Sequence, residues 1–186
     1  MAGYQQAGQG YQGHPQQGGN QQVYQWFQAV DADRSGHINA GELQQALVNG
    51  NMSRFSEEAC RMMIDLFDAN KSGTIDVNEF VQLFNYINQW KGIFQGFDKD
   101  RSGSIDLNEF SQALQQMGYR FSQTFSQNIL TKYDPRTQRL TLDNFIVVCF
   151  SLKRLTDSFK RRDREMRGQA MMGYEDFVGL ALGAHQ

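Results

Sequence analysis

The sequence predicts an all-α protein, and three observations carry that expectation. From Val23 onward apolar residues recur at helical spacing, as in Ala59, Met62, Met63, Leu66 and Phe67. Val, Ile and Thr never alternate over the length of a strand, so β structure is limited to contacts two or three residues long between loops. Short acidic segments containing Gly and Ser interrupt the helical runs and repeat one another, most plainly from Asp31, Asp68 and Asp98.

Composition sets the bounds. A chain of 186 residues suits one domain, or two small ones sharing a core, and 40% hydrophobic with 12% aromatic residues is enough to fill it. A net charge of -2 calls for no nucleic acid and no anionic membrane as partner. Cys60 and Cys149 lie in apolar helical runs and read as two buried thiols, which fits a reducing compartment. No apolar run is long enough to span a bilayer, and the opening residues MAGYQQAGQGYQGHPQQGG lack the basic start and apolar stretch of a secretory signal. The expectation is a soluble intracellular protein. Residues 1–21 are dominated by Gly, Gln and Tyr and carry no charge. They cannot bury enough apolar surface to offset their ordering entropy, so a disordered tail is expected, either a plain flexible one or a partner-binding arm using Tyr4 and Tyr11. The folded part is expected over residues 22–186.

The acidic repeats carry the chemistry. A twelve-residue calcium loop supplies oxygens from positions 1, 3, 5, 7, 9 and 12, with Gly at 6 for the sharp turn. Residues 31–42 match it: Asp31, Asp33 and Ser35 give side-chain oxygens, Gly36 makes the turn, His37 offers its backbone carbonyl and not its imidazole, Asn39 works through a water, and Glu42 closes the loop. Residues 68–79 repeat the pattern with Asp68, Asn70, Ser72, Gly73, Thr74, Asp76 and Glu79; residues 98–109 do so with Asp98, Asp100, Ser102, Gly103, Ser104, Asp106 and Glu109. Ile38, Ile75 and Ile105 hold position 8 and point inward. Three complete matches between amphipathic helices exclude chance acidic turns. The metal expected is calcium, and the loop at Asp98, richest in carboxylates, is expected to bind it most tightly.

Two further segments read as decayed copies. In YDPRTQRLTLDNF, Leu140 aligns with the inward Ile, but the loop is one residue short, lacks the Gly, carries Arg136 and Arg139, and ends in Asn144. In DREMRGQAMMGYEDF, Gly168 keeps position 6, but Arg167 stands at position 5 and two extra residues precede Asp176. Calcium is expected in neither.

Loop starts at 31, 68, 98, 134 and 163 alternate long and short gaps. A short gap has room for one helix only, so single helices should join loop two to three and four to five. The connectors NGNMSRFSEE and MGYRFSQ separate the other units, with Ser56 as an N-cap and Glu57 and Glu58 in the first turn that follows. Five EF-hand helix–loop–helix units result. Hands one and two pair, as do three and four, through short β contacts; the fifth is left over. Its Met171, Met172, Tyr174, Phe177, Val178 and Leu180 would expose an apolar face, which predicts a homo- or heterodimer through that hand.

Five hands, two shared helices, a Gly-rich tail and an insertion-bearing fifth loop resemble the penta-EF-hand family. The resemblance covers Val23 to the C-terminus and runs to the subgroup whose first loop is intact, through ELQQALVNGN, MMIDLFDANKSGTIDV and QQMGYRFS. It implies a cytosolic calcium sensor that dimerises with a penta-EF-hand chain through hand five. It further implies calcium-dependent association with membranes and, for that subgroup, vesicle-coat work at endoplasmic reticulum exit sites.

Other features have plainer readings. Trp26 and Trp90 are expected in the core, the alternative for Trp90 being a groove for a client peptide. Lys153, Arg154, Lys160, Arg161, Arg162 and Arg164 read as a solvated helix face, with acidic lipid headgroups as the alternative. His14, His37 and His185 are too scattered for zinc. No nucleophile–base set or phosphate loop is visible, so an enzyme is not expected. A calcium-triggered adaptor leads, ahead of a calcium buffer and of a regulatory subunit resembling the calpain small subunit.

Overall fold

The structure, a computed structural model, describes residues 17–163 and 167–182. The expected tail over residues 1–16 lies outside them. Helix α1 spans Gln17–Val30 and so begins inside the stretch assigned to the tail; no Pro lies between residues 16 and 30 to stop the helical run from extending back past Val23. Then follow α2 (Ala40–Ala46), α3 (Glu57–Phe67), α4 (Val77–Phe97), α5 (Leu107–Gln116), α6 (Gln123–Tyr133), α7 (Leu142–Arg162) and α8 (Tyr174–Leu182). Among the described residues there is no strand, and no helix is long and apolar enough to cross a membrane.

The two long helices are the shared ones. The 21-residue α4 leaves loop two and enters loop three, and the 21-residue α7 leaves loop four and enters loop five. The ends are set by local chemistry. Ser56 accepts from the Ala59 amide ahead of α3, with Glu57 and Glu58 in its first turn, and Ser122 accepts from the Phe125 amide ahead of α6. Asn39, Asp76 and Asp106 each complete a reciprocal capping box with the Glu three residues on, about 1 kcal/mol of helix stability apiece.

The chain packs as two compact units, residues 1–145 and 146–186. In the first, isolated antiparallel bridges pair Ile38 with Ile75 and Ile105 with Leu140, so hand one pairs with two and hand three with four. All four residues are fully buried. The core of this unit includes aromatic clusters: Phe27 meets Phe80 edge-on, and Phe145 takes Trp90, Phe94 and Phe97 around its ring. Trp90 is half-buried, whereas Trp26, expected in the core, is 41% exposed and meets Phe84 at a tilt of 54° with ring centroids 4.6 Å apart. Its face of α1 is only partly covered, which helical spacing does not reveal.

The connector after hand one is a tight hairpin. Val48 pairs with Arg54, and Met52 sits at the turn with φ 67°. Buried Asn49 donates to Ser53 and to the Arg54 carbonyl, and accepts from the Asp143 amide at 3.2 Å; the buried Asp143 carboxylate accepts from the Ser56 amide at 2.7 Å. The start of α7 is thereby tied to the connector between hands one and two.

The second unit holds most of α7, loop five and α8, which is the fifth hand. Arg162 faces Asp176 at 3.6 Å across it. Lys153 pairs with Asp157 on an exposed helix face, as the solvated reading of that basic run expects.

Candidate calcium centres

Each intact loop is built on an Asp at position 1 that gathers the backbone around it. Asp31 accepts from the amides of Ser35 and Gly36, both at 2.9 Å. Asp68 accepts from Ser72 and Gly73 at 3.0 and 2.7 Å, and Asp98 from Ser102 and Gly103 at 2.9 and 3.0 Å. To present those amides the chain turns left-handed twice, at Arg34, Lys71 and Arg101 (φ 57°, 58° and 55°) and at Gly36, Gly73 and Gly103 (φ 82°, 79° and 76°). The second of these turns is why position 6 is Gly.

The closing Glu is fixed from both sides. Glu42 accepts from the Ala32 amide with one oxygen and the Asn39 amide with the other, both at 3.0 Å. Glu79 does so with Ala69 and Asp76, and Glu109 with Lys99 and Asp106, at 2.8 to 3.0 Å. All three are buried, so each carboxylate is held over its loop and largely out of bulk water.

The carboxylates expected to act together do converge. Oxygens of Asp31, Asp33 and Glu42 lie within 4.8 Å of one another, and so do those of Asp98, Asp100 and Glu109. In the second loop Asp68 and Asn70 both accept from the Ser72 amide, at 3.0 and 2.9 Å, so Asn70 takes the place that Asp33 takes in the first. The position-5 hydroxyls of Ser35, Ser72 and Ser102 donate to the position-7 carbonyls of His37, Thr74 and Ser104 at 3.0, 3.1 and 2.8 Å, so both groups face one interior. The His37 residue is exposed and contributes its carbonyl to that interior. Position 9 is turned to its helix instead: Asn39, Asp76 and Asp106 serve as N-caps, which suits coordination through a water.

Hydrogen bonds from the Ser35 side chain and amide hold the Asp33 carboxyl below its usual range. Those from Ser102, joined by Asp98 and Arg139, bring Asp100 down to about 2. Asp33 and Asp100 are therefore ionised at neutral pH without a cation. Carboxylate, carbonyl and hydroxyl oxygens without nitrogen or sulfur are the donor set of a hard divalent cation, and calcium bound there would supply two positive charges and draw six to eight oxygens together.

The fourth loop spends its Asp134 on its own turn, accepting from the Arg136 and Thr137 amides and the Thr137 hydroxyl. The fifth keeps half of the design: Asp163 accepts from the Arg167 and Gly168 amides, with Gly168 at φ 73°. One residue escaped the sequence reading. Arg139, noted only as foreign to its own loop, reaches into the third, donating to Ser104 Oγ and Ser102 Oγ at 2.7 Å each. The signal was present, since pairing Leu140 with Ile105 brings its neighbour to the rim of that loop.

Comparison with known proteins agrees with this architecture. A family model described as an EF-hand domain pair matches residues 20–85, and one described as an EF-hand domain matches residues 89–118. Peflin of Danio rerio is 48% identical over 176 residues, covering 94% of this chain and 65% of the relative. Sorcin of Homo sapiens is 38% identical over 164 residues, covering 86% of this chain and 82% of the relative. A solved homolog of programmed cell death 6 protein from Leishmania major Friedlin superposes with a TM-score of 0.75 at 30% identity, over 89% of this chain and 95% of that one. The chain spans between 57% and 65% of the length of the peflins it matches. The chain belongs to the penta-EF-hand family of calcium-binding proteins. Calcium is its metal.

Proposed function

We propose that this chain is a calcium-triggered adaptor that dimerises through its fifth hand and engages a protein client or a membrane when calcium binds. The ions are held by Asp31, Asp33, Ser35, the His37 carbonyl and Glu42; by Asp68, Asn70, Ser72, Thr74 and Glu79; and by Asp98, Asp100, Ser102, Ser104 and Glu109.

The observation that carries the reading is the surface of the fifth hand. Met171 is 100% exposed, Tyr174 83% and Phe177 57%. Among the described residues the inter-loop bridges join loops one and two and loops three and four, and none involves loop five. Apolar surface on an odd hand suits the same hand of a second penta-EF-hand chain, identical or different. A cytoplasmic site of action, with recruitment to endoplasmic reticulum or vesicle membranes and a part in coat regulation on the route to the Golgi, draws its support from the family resemblance; two buried thiols agree with a reducing compartment.

Sedimentation tests the dimer. The wild-type chain should be dimeric at micromolar concentration and Phe177→Asp monomeric; a monomeric wild type contradicts the reading. Affinity capture with calcium or with chelator tests the adaptor. Clients retained in calcium only, together with a rise in apolar-dye fluorescence, support it. Calcium uptake without either response marks a buffer, and a large catalytic chain retained in chelator marks a regulatory subunit.

A further inference from the structure

The third loop carries four carboxylates against three in each of the others, and the chain brings a cation to it. Asp98 and Glu109 are buried, and their oxygens lie within 4.8 Å of each other and of Asp100. Like charges so placed repel one another unless a positive group stands near. Arg139, from the fourth loop, is that group. Its Nε donates to Ser104 Oγ at 2.7 Å; one terminal nitrogen donates to Ser102 Oγ at 2.7 Å, the Ser104 carbonyl at 3.1 Å and Asp100 Oδ2 at 3.2 Å, and lies 3.9 Å from Glu109 Oε2. These oxygens are those of loop positions 3, 5, 7 and 12, so the guanidinium addresses the set that a calcium ion needs.

The approach is built into the fold. The amide of Ile105 donates to the Leu140 carbonyl at 2.8 Å and that of Leu140 to the Ile105 carbonyl at 2.9 Å, which fixes the backbone beside Arg139 against the rim of loop three. The Arg139 side chain is 29% exposed. Loops one and two have no counterpart: the residues preceding their bridges are His37 and Thr74, and among the described residues no other ion pair reaches a ligand carboxylate of the three loops. A guanidinium does not deprotonate in a protein, so it leaves such a site only by being displaced.

We propose that Arg139 is a tethered counter-cation of the third loop, which calcium must displace in order to bind. The inference rests on the reading of loop three as a calcium site. Two consequences follow from the exchange. Arg139 lowers the calcium affinity of loop three below what its carboxylates would give, and calcium entry frees the fourth loop from the third along one side. The ion bound at one hand thus acts on a neighbour that needs no ion of its own.

Isothermal titration with calcium, in a Glu42→Gln/Glu79→Gln background that leaves loop three alone, tests the exchange. Arg139→Gln should tighten binding on the order of tenfold, the worth of one charge-assisted hydrogen bond. Arg139→Lys, which keeps the charge without the fork, should tighten it less. Arg136→Gln removes the same charge from an exposed position in the same loop and should change affinity by less than about twofold, as expected for a screened charge. Arg139→Gln should also lower the melting temperature in chelator and leave it unchanged in calcium. Unchanged or weaker binding by Arg139→Gln, or equal tightening by Arg136→Gln, overturns the proposal. A background protein that binds no calcium at all overturns the assignment of loop three itself, and the proposal with it.

Discussion

Within each intact loop the candidate ligands are held by hydrogen bonds that need no ion: position 1 takes two amides, position 12 takes two more, and the hydroxyl at 5 is turned to the carbonyl at 7. That scaffold makes the Gly residues unequal. A side chain on Gly73 would meet nothing within 4 Å, so Gly73→Ala incurs only the left-handed strain, about 1–2 kcal/mol. A Cβ on Gly103 would stand 2.7 Å from the Gly50 carbonyl carbon in the connector hairpin. Gly103→Ala should therefore cost roughly 2–4 kcal/mol, strain and overpacking together, and urea denaturation of the two variants should rank them in that order. The thiols give a second outcome. Burial pushes both Cys60 and Cys149 from an ordinary 9.0 up to about 12, helped at Cys60 by Asp143 and Glu57. The native state thus favours the neutral thiols, and their contribution is complete below pH 9.0 and lost as pH rises towards about 12. At pH 8 iodoacetamide should leave both unmodified until the protein is unfolded; rapid labelling of the native chain would contradict this. The convergence of Asp31, Asp33 and Glu42, and of Asp98, Asp100 and Glu109, could be read from residue types alone, because oxygen chemistry and loop spacing are local. The reach of Arg139 could not, because it depends on where a neighbouring loop runs.

Helices α4 and α7 each serve two hands, and for α4 this is a mechanical statement. An uninterrupted helix links loop two to loop three, so movement at one end is carried to the other. Gly92 and Gly96 lie in its last turns, and a Cβ at either would meet nothing within 4 Å. Gly92→Ala and Gly96→Ala should each stabilise the protein by about 0.5–1 kcal/mol, read from the urea midpoint, because the helix pays Gly's extra entropy there. Destabilisation by either would mean that this end of α4 needs a non-helical conformation. Shared helices were legible before the structure because alternate gaps between loops have room for one helix each, and the bridges were legible because Leu140 aligns with the inward Ile. The start of α1 and the exposure of Trp26 were not: apolar spacing says which residues share a face, and says nothing of whether that face is covered.

For the whole molecule, two consequences separate calcium capture from what is done with it. The paired hands of residues 1–145 hold the three intact loops, while the fifth hand offers Met171, Tyr174 and Phe177 to solvent. Phe177→Asp should therefore abolish dimerisation in sedimentation while calcium titration of the same variant still shows all binding phases; loss of both together would mean that the units do not act separately. Count and place of the bound ions bear on everything above. Native mass spectrometry of the full chain in calcium should show three ions per chain, and Glu42→Gln, Glu79→Gln and Glu109→Gln should each remove one, since each withdraws the closing carboxylate of a single loop. Five ions, none, or a count indifferent to these substitutions would contradict the assignment.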